Sequence, residues 1–528
     1  MKHCAGIESH CALCGNEQWI HFDLRRSIAP SRVVGTRHCH PRMSHPIHKP
    51  AAPDVDSFYH LAGCDLTDRP CDGTACFVAG AARCERGPRV YCLGRCFAAP
   101  ARGLDRTRPR VEVHSREAVV LGRLARGGDA SLVTYRNAGG GNALKKALSL
   151  KPEDVLNAVN ESGLRGRGGA AFSTGKKWAA VAKAATPDEK FIVANADEGD
   201  PGAYVDRFLM EGDPHALIEG MTLAAYAVGA QRGWIYLRHE YPFAKESLDL
   251  AIAVARAAGL LGDDILGTGF HFDIELFVGH GSYVCGEETA LLRSLAGQRP
   301  EPTIRPPYAS ERGHHGRPTL INNVETLATV PWIVEHGGEA YRALGHAQSR
   351  GTKALSLNSL FVRPGLYEVE FGMPVRRIVE EIGGGLRRNS LKGLIIGGPL
   401  AGIIPPHLLD TPLAFEELHA IGATVGHGGV IAFDGSTSIA ALVHHVLAFG
   451  SYESCGKCTP CRLGSQRLEK IFAGLAAPDN SQKVSKDEVR AVVAALRCAS
   501  LCGHGVGVGE FVDSAFHHYG KELESCWK

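Results

Sequence analysis

Between residues 150 and 330, apolar positions alternate between the spacing of helices and that of buried strands. Pro152 opens a stretch in which Val155, Leu156 and Val159 fall on one helical face. The pattern predicts, in chain order, a helix over 152–162, a strand over 191–194, a helix over 214–229, a strand over 234–237, a helix over 243–258, a strand over 270–278 and a helix over 288–296. Such alternation is typical of an α/β layer domain.

The chain changes character after this domain. Residues 355–436 are rich in Val, Ile and Gly-Gly pairs, as in LFVRPGLYEV and GGVIAF, which indicates a small strand-rich module. Four helical patterns over 437–520 predict a small bundle. The remaining segments are an expected disordered extension over 1–56, a short cysteine-rich unit over 57–100, an Arg-rich connector over 101–149 and the α/β domain itself over 150–345.

Composition narrows the class of protein. The 528-residue chain is 44% hydrophobic and 22% charged, which excludes a disordered or collagen-like protein. Its formal net charge of +2 gives no reason to expect a nucleic-acid partner. No apolar run reaches the ~18 residues of a membrane span, and residues 1–40 lack the apolar core of a secretory signal. We therefore expect a cytoplasmic protein with no direct membrane insertion.

Seventeen cysteines lie mainly at the two ends of the chain. In a reducing compartment, clustered cysteines favour metal ligands over disulfides. Near the C-terminus, three cysteines at C-x-x-C spacing are followed by a fourth, which favours a [4Fe–4S] cluster, with zinc as the alternative. These candidate ligands are Cys455, Cys458, Cys461 and Cys502, and Cys498 competes for the fourth place.

The N-terminal cysteines form two pairs that suit a [2Fe–2S] cluster, with zinc or no metal as alternatives. The pairs are Cys71 with Cys76 and Cys92 with Cys96, and Cys64 and Cys84 are spare thiols nearby. Further upstream, the Cys11–Cys14 pair and the triplet His38-Cys39-His40 offer zinc ligands, but no finger-like pattern surrounds them.

A glycine-rich loop follows the first helix. Its sequence Gly166-x-Gly168-x-x-Ala171 matches a dinucleotide fingerprint, yet a Rossmann motif must follow a strand, so that interpretation is excluded. Glycines still let backbone N–H groups approach a phosphate or ring closely. The loop also carries four cations, which are Arg165, Arg167, Lys176 and Lys177. A ligand-binding loop explains these features better than a plain linker does.

Polar side chains follow two of the predicted strands. Asn195, Asp197 and Glu198 come directly after the strand 191–194, where α/β folds place ligands. Gly286, Glu287 and Glu288 precede the helix 288–296, where helix capping is the alternative explanation. Asn322 and Asn323 would alone be interpreted as a turn. Together with the glycine loop, these residues predict a ligand pocket.

Five long motifs stand in the order GLRGRGGAAFSTGKKW, NADEGDPGAYVDR, GSYVCGEETALLRSL, GRPTLINNVET and ESCGKCTPCR. Over about residues 150–510 they resemble the flavin-bearing, NADH-oxidising subunit of respiratory complex I. They equally resemble the β (diaphorase) subunits of NAD-dependent formate dehydrogenases and NAD-reducing hydrogenases. The segment CDGTAC…CLGRCFAAP resembles the thioredoxin-like [2Fe–2S] subunit that accompanies these proteins, here fused and abbreviated.

The resemblance implies an FMN-binding α/β domain, a ubiquitin-like β-grasp module of SLBB type over 355–436 and a helical bundle carrying a [4Fe–4S] cluster. The implied FMN contacts are Gly166, Gly168, Lys177, Asn195, Asp197, Gly286, Glu287, Asn322, Asn323 and Thr326. Glu198 is a further cofactor-binding candidate, and the implied NADH contacts are Phe172, Glu288 and Tyr308. Ala171, Ser173, Asp200 and Tyr308 depart from the family pattern, which usually has Gly, Pro, Glu and Phe there.

The implied activity is that of an NADH dehydrogenase module within a larger redox complex of complex I, formate dehydrogenase or hydrogenase type. Hydride would pass between NAD(H) and FMN, and single electrons between FMN and iron–sulfur clusters. Hydride transfer to a flavin needs no protein acid or base, so we predict no catalytic residue. Two alternatives are an iron–sulfur scaffold that has lost flavin and a zinc-stabilised interaction module. The intact glycine loop, Asn195 and Asp197 argue against the scaffold.

Overall fold

The computed structural model describes residues 65–81, 88–184, 189–477, 485–524 and Trp527. The predicted extension over 1–56, with its two groups of candidate zinc ligands, lies outside these residues, as do Cys64 and Cys84.

The strands are β1 (Arg110–Val113), β2 (Phe191–Ala196), β3 (Arg232–Leu237), β4 (Asp273–Val278), β5 (Thr319–Asn323), β6 (Gly345–His346), β7 (Ser349–Arg350), β8 (Thr352–Leu357), β9 (Gly365–Glu370), β10 (Leu391–Ile396) and β11 (Gly429–Asp434). The helices are α1 (Thr74–Val78), α2 (Gly122–Ala125), α3 (Leu132–Asn137), α4 (Asn142–Leu148), α5 (Pro152–Glu161), α6 (Thr174–Lys183), α7 (Val205–Gly212), α8 (Pro214–Val228), α9 (Pro242–Ala257), α10 (Glu288–Leu295), α11 (Ala309–Arg312), α12 (Val324–His336), α13 (Gly338–Arg342), α14 (Val375–Arg377), α15 (Phe415–Ala420), α16 (Ile439–Tyr452), α17 (Thr459–Ala476), α18 (Lys486–Ala499) and α19 (Gly503–Glu524). Shorter 3-10 or π turns cover Cys96–Ala98, Ile265–Gly267, Tyr283–Gly286, His314–Gly316, Ile378–Ile382 and Pro406–Leu408.

A four-stranded parallel sheet in the order β4-β3-β2-β5 forms the centre of the α/β part. The predicted helices and strands of this region are all present. Pro152 starts α5 and buries Val155 and Val159, as the periodicity predicts. The chain adds β3 and β4 on one side of β2 and then returns to place β5 on the other side. Such a switch between neighbouring strands opens a crevice at their carboxyl ends.

A five-stranded mixed sheet in the order β1-β9-β8-β11-β10 forms the strand-rich part. Its strand β1 comes from residues 101–149, which were expected to be a connector and instead contain β1 and helices α2 to α4. Four residues, Arg110–Val113, are too few to produce a recognisable alternation. The buried Glu368 of β9 accepts hydrogen bonds from the backbone N–H groups of Val119 (2.9 Å) and Leu121 (2.8 Å), which ties this segment to the sheet.

The C-terminal part is helical, as predicted, with α16 to α19 packed against one another. Ser438 and Ser485 cap α16 and α18 by accepting hydrogen bonds from Ala441 and Asp487 N–H groups. In the part of the chain that the structure describes, no helix is both long and apolar enough to cross a bilayer.

The cysteine-rich segment is described at residues 65–81 and 88–100. These residues contain helix α1 and one 3-10 turn, and no strand lies among them. Instead of building its own core, the segment packs on the rest of the protein. Phe77 of α1 stacks on His445 of α16 with ring centroids 4.3 Å apart.

Candidate functional site

The switch between β2 and β5 brings two predicted site residues together. Asn195 and Asn323 are register partners at the carboxyl ends of these strands. The Asn323 side-chain oxygen accepts a hydrogen bond from the Thr326 N–H at 3.2 Å and so caps α12. Asn322 and Asn323 therefore end strand β5, and Asn323 caps the helix that follows it.

The turn before α10 packs against the same edge of the sheet. The Asn195 amide donates a hydrogen bond to the Gly286 carbonyl at 2.8 Å. The Tyr283 hydroxyl donates to the Asp200 carboxylate at 2.6 Å. The two predicted groups of polar residues, around 195–200 and 283–288, thus form one continuous surface.

The glycine loop lies over Asn323. A Cβ atom added to Gly168 would lie 2.9 Å from the Asn323 Cβ, so only glycine allows this approach. Residues 168–170 expose their backbone, as expected of a loop that binds a ligand through N–H groups. Ala171 has a φ of 52°, in the left-handed region that favours glycine, so the glycine that the resemblance implies at this position would fit this backbone with less strain.

The cations of the loop divide into two groups. Arg167 is buried and donates hydrogen bonds to the Tyr341 hydroxyl (2.7 Å) and the Arg350 carbonyl (2.8 Å). Arg165 forms an ion pair with Glu416 at 2.5 Å. Both arginines therefore anchor the loop to the protein and are not available to a phosphate, contrary to the expectation for them. Lys176 is exposed.

Lys177 belongs to a charged cluster at the start of α10. Its ammonium donates to Glu288 and to the Ile321 carbonyl, both at 3.2 Å. Arg305 pairs with Glu288 at 2.9 Å and with Glu287 at 3.2 Å. The other Glu287 oxygen accepts hydrogen bonds from the N–H groups of Thr289 and Ala290, so Glu287 is a helix cap. Glu288 instead forms ion pairs with both Lys177 and Arg305.

Two aromatic candidates are exposed. Phe172 is 56% exposed and Tyr308 is 51% exposed, unlike most large apolar side chains of the described chain. Phe172 lies on the glycine loop, and Tyr308 follows Arg305, which fixes this segment to α10. Flat rings left open to solvent suit stacking on a planar ligand.

Other predicted residues are engaged inside the protein. Asn322 accepts a hydrogen bond from the Trp178 indole at 2.9 Å, and Thr326 accepts the Arg167 N–H at 2.8 Å. Glu198 is fully buried and accepts the N–H groups of Asp206 and Arg207, which caps α7. These contacts occupy the Asn322 side-chain oxygen, the Thr326 hydroxyl and both Glu198 carboxylate oxygens.

Asp197 is buried next to these residues, with 9% of its surface exposed. Burial raises the pKa of its carboxyl to about 8, although the guanidinium of Arg238 opposes this shift. Asp197 therefore lies in a desolvated position at the carboxyl end of β2.

One residue of this region was missed from the sequence. His427, in the loop before β11, is buried, and its Nε2 lies 2.7 Å from the Asp206 carboxylate. Asp206 also accepts a hydrogen bond from the Asn323 amide at 2.5 Å. Burial alone would lower the pKa of His427, but the surrounding carboxylates outweigh this effect. They raise the pKa to about 9, so the imidazole is protonated at neutral pH. No spacing signal connects residues so distant in the chain.

The four C-terminal cysteines line one pocket, together with Glu453 and His504. Cys502 lines this pocket, whereas Cys498 is exposed and does not. Burial raises the pKa of Cys461 to about 12 and that of Cys502 to about 11. Desolvated thiols that face one pocket suit a metal centre that replaces their protons.

The four N-terminal cysteines also converge. Cys71, Cys76, Cys92 and Cys96 are each at most 2% exposed, and the Cys92 and Cys96 sulfurs are 3.3 Å apart. Backbone N–H groups of Gly94 and Ala101 donate to the Cys92 and Cys76 sulfurs, both at 3.3 Å. Such hydrogen bonds to sulfur are typical of iron–sulfur sites.

Comparisons with known proteins agree with this geometry. Residues 159–332 match the Nuo51 FMN-binding domain, and residues 441–526 match the NADH-ubiquinone oxidoreductase-F iron-sulfur binding region. The F 2 subunit of NADH-quinone oxidoreductase from Rhizobium meliloti (strain 1021) is 42% identical over 394 residues, which are 74% of this chain and 93% of that protein. The HndC subunit of NADP-reducing hydrogenase from Solidesulfovibrio fructosivorans is 40% identical over 75% of this chain and 80% of that protein.

A solved structure shows the same fold. The chain is similar to one in the H2-reduced NAD+-reducing [NiFe]-hydrogenase, with a TM-score of 0.75 and 31% identity over 90% of this chain and 87% of the other. The matched regions include the glycine loop, the β2–β5 edge and the C-terminal cysteine pocket. The chain therefore belongs to the family of NADH-quinone oxidoreductase F subunits, which includes the corresponding subunits of NAD(P)-reducing hydrogenases.

Proposed function

We propose that the protein is an NADH dehydrogenase (diaphorase) module that exchanges electrons between NAD(H) and an iron–sulfur centre through bound FMN. One observation carries this proposal: Tyr283 contacts both candidate centres. Its hydroxyl binds Asp200 at the sheet edge, and its ring lies 5.5 Å from His504 of the cysteine pocket. A flavin site and a cluster site this close suit electron transfer from one to the other.

The sheet edge fits a flavin. FMN supplies the conversion between hydride and single electrons when it is bound. The exposed backbone of Gly168, the half-buried Gly166 beside it and the amides of Asn195 and Asn323 would hold its polar groups. Lys177 would bring positive charge to the same cleft. No acid or base is needed, because the role of the protein is to orient the two rings and exclude water.

The nucleotide would bind on the exposed side of this cleft. Phe172 and Tyr308 offer stacking faces, and Glu288 offers a carboxylate that Lys177 and Arg305 hold in place. The flavin side of the cleft would be formed by Gly286, Asp197 and Glu287. Glu198, Asn322 and Thr326 would act through the elements that they hold together.

The C-terminal pocket would hold a [4Fe–4S] cluster, with Cys455, Cys458, Cys461 and Cys502 as ligands. The N-terminal set, Cys71, Cys76, Cys92 and Cys96, would hold a [2Fe–2S] cluster. This set packs against the same loop after β2, since Arg238 donates to the Cys92 carbonyl at 3.2 Å and also to the Glu198 carbonyl. Both cysteine sets thus flank the flavin edge.

We infer a cytoplasmic subunit of a larger redox complex, with any membrane contact made by partner subunits. Relatives include a subunit of an NADH-quinone oxidoreductase and a subunit of an NADP-reducing hydrogenase. We propose the flavin domain over 150–345, the β-grasp module over 355–436 and the cluster domain over 437–520 as the functional parts.

The deciding experiment is an absorption spectrum of the anaerobically purified protein before and after NADH is added. We expect flavin and iron–sulfur bands that bleach with NADH. Brown protein that lacks flavin and ignores NADH would instead support a scaffold that has lost FMN. Colourless, zinc-loaded protein would support an interaction module.

A further inference from the structure

A buried histidine from the strand-rich part lies beside the proposed flavin site at the carboxyl ends of β2 and β5. His427 lies in the loop between α15 and β11, and its backbone N–H donates to the Gly397 carbonyl at 3.1 Å. A Cβ atom on Gly426 would lie 1.9 Å from that carbonyl oxygen, and one on Gly398 would lie 2.9 Å from an Asp200 oxygen. Two close-packed glycine loops therefore hold the imidazole in one place.

The imidazole is the centre of a chain of hydrogen bonds. Its Nε2 lies 2.7 Å from an oxygen of Asp206, and the same oxygen accepts from the Asn323 amide at 2.5 Å. The Asn323 oxygen accepts the Thr326 N–H, which fixes the other half of the amide. Asp206 takes one of the two amide hydrogens and leaves the second for an acceptor on a bound ligand.

We propose that His427 is a positioning residue of the flavin site, which orients the Asn323 amide through Asp206. The inference deepens the proposed function and rests on it, because Asn323 matters only where FMN binds. His427 is supplied by the 355–436 module, so this module completes the flavin site.

The charges around His427 explain why it is needed. Those that face it are the carboxylates of Asp197, Glu198, Asp200 and Asp206, with Arg238 and the Lys353–Glu325 pair behind them. Without the imidazolium, Asp206 would lose the cation that lies 2.7 Å from its carboxylate and would remain buried beside Glu198, an arrangement that like-charge repulsion opposes. The Asp206 side chain would then turn away, and the Asn323 amide would lose the acceptor that holds it in one orientation.

The test is FMN binding to flavin-depleted protein, followed by quenching of FMN fluorescence. We expect His427→Gln to weaken FMN binding by about tenfold or more, as for a hydrogen bond between charged groups. The matched control is His215→Gln, a buried and neutral imidazole on α8 whose pKa burial lowers to about 4. It should bind FMN like the unaltered protein.

Two further measurements separate positioning from packing. In a double-mutant cycle, Asp206→Asn should recover part of the affinity lost in His427→Gln, since the pair is then neutral; additive losses would indicate packing alone. In the unaltered protein, FMN affinity should fall as the pH rises through about 9, the pKa of His427, and His427→Gln should lack this step.

Equal FMN affinity in His427→Gln and the unaltered protein would overturn the inference, as would an equal loss in His215→Gln. If His427→Gln does not fold, the absence of the pH step in the unaltered protein alone overturns it. Failure of the unaltered protein to bind any FMN would instead refute the proposed function.

Discussion

Replacing Gly168 by alanine should weaken FMN binding strongly. The added Cβ would lie 2.9 Å from the Asn323 Cβ, whereas carbon atoms ordinarily approach to about 3.5–4.0 Å. Gly168 is not in the left-handed region, so its backbone accepts alanine and the effect is purely steric. The loop must move by about 0.6–1 Å, and overpacking of this kind costs about 1–3 kcal/mol.

If that cost falls on the loop position that FMN requires, the FMN dissociation constant should rise by about 5- to 150-fold. The measurement is fluorescence titration of flavin-depleted protein with FMN. The control is Gly435→Ala, at an exposed position where the new Cβ would meet only the Ser390 hydroxyl at 3.9 Å. An affinity within twofold of the unaltered protein would refute the view that the loop and Asn323 form one FMN cradle.

Three further outcomes are expected. Cys458→Ala should remove the [4Fe–4S] absorption but leave NADH oxidation by an artificial two-electron acceptor, whereas Cys498→Ala should keep the cluster because Cys498 is exposed. Lys177→Ala should deplete FMN with the cluster retained, while the exposed neighbour Lys176→Ala should keep its flavin. Asp197→Asn should stabilise the flavin-free protein, and the gain in the free energy of unfolding should grow from about pH 4 to pH 8. The reason is that Asp197, with a pKa of about 8 in the folded protein, ionises at lower pH in the unfolded chain, which a rising pH therefore favours. Calorimetry that shows no such growth would contradict the burial of Asp197.

Much of the architecture could be predicted from the sequence. Strong apolar periodicity located α5, α8, β2 and β3, since burial imposes it on long elements. The short strand β1 was not predicted, because four residues give too little hydrophobic pattern.

The candidate site was predicted only in part. Spacing along the chain predicted the two cysteine sets, because several ligands of one iron–sulfur cluster often lie only a few residues apart in sequence. The partners of Arg165 and Arg167 could not be predicted, since only the fold shows which charges already have partners. His427 could not be found, because its contacts with Asp206 and Asn323 depend on how two separate sheets pack.

Buried ion pairs between the α/β part and the strand-rich part also affect the cooperativity of unfolding. The Lys353 ammonium and Glu325 carboxylate pair in the interior, as do His427 and Asp206. A fragment limited to residues 159–332 would keep both carboxylates and lose both cations, and an uncompensated buried charge costs several kcal/mol. The sequence segment that matches a flavin-binding domain should therefore be less stable alone than in the whole chain, and the flavin and strand-rich parts should melt in one calorimetric transition.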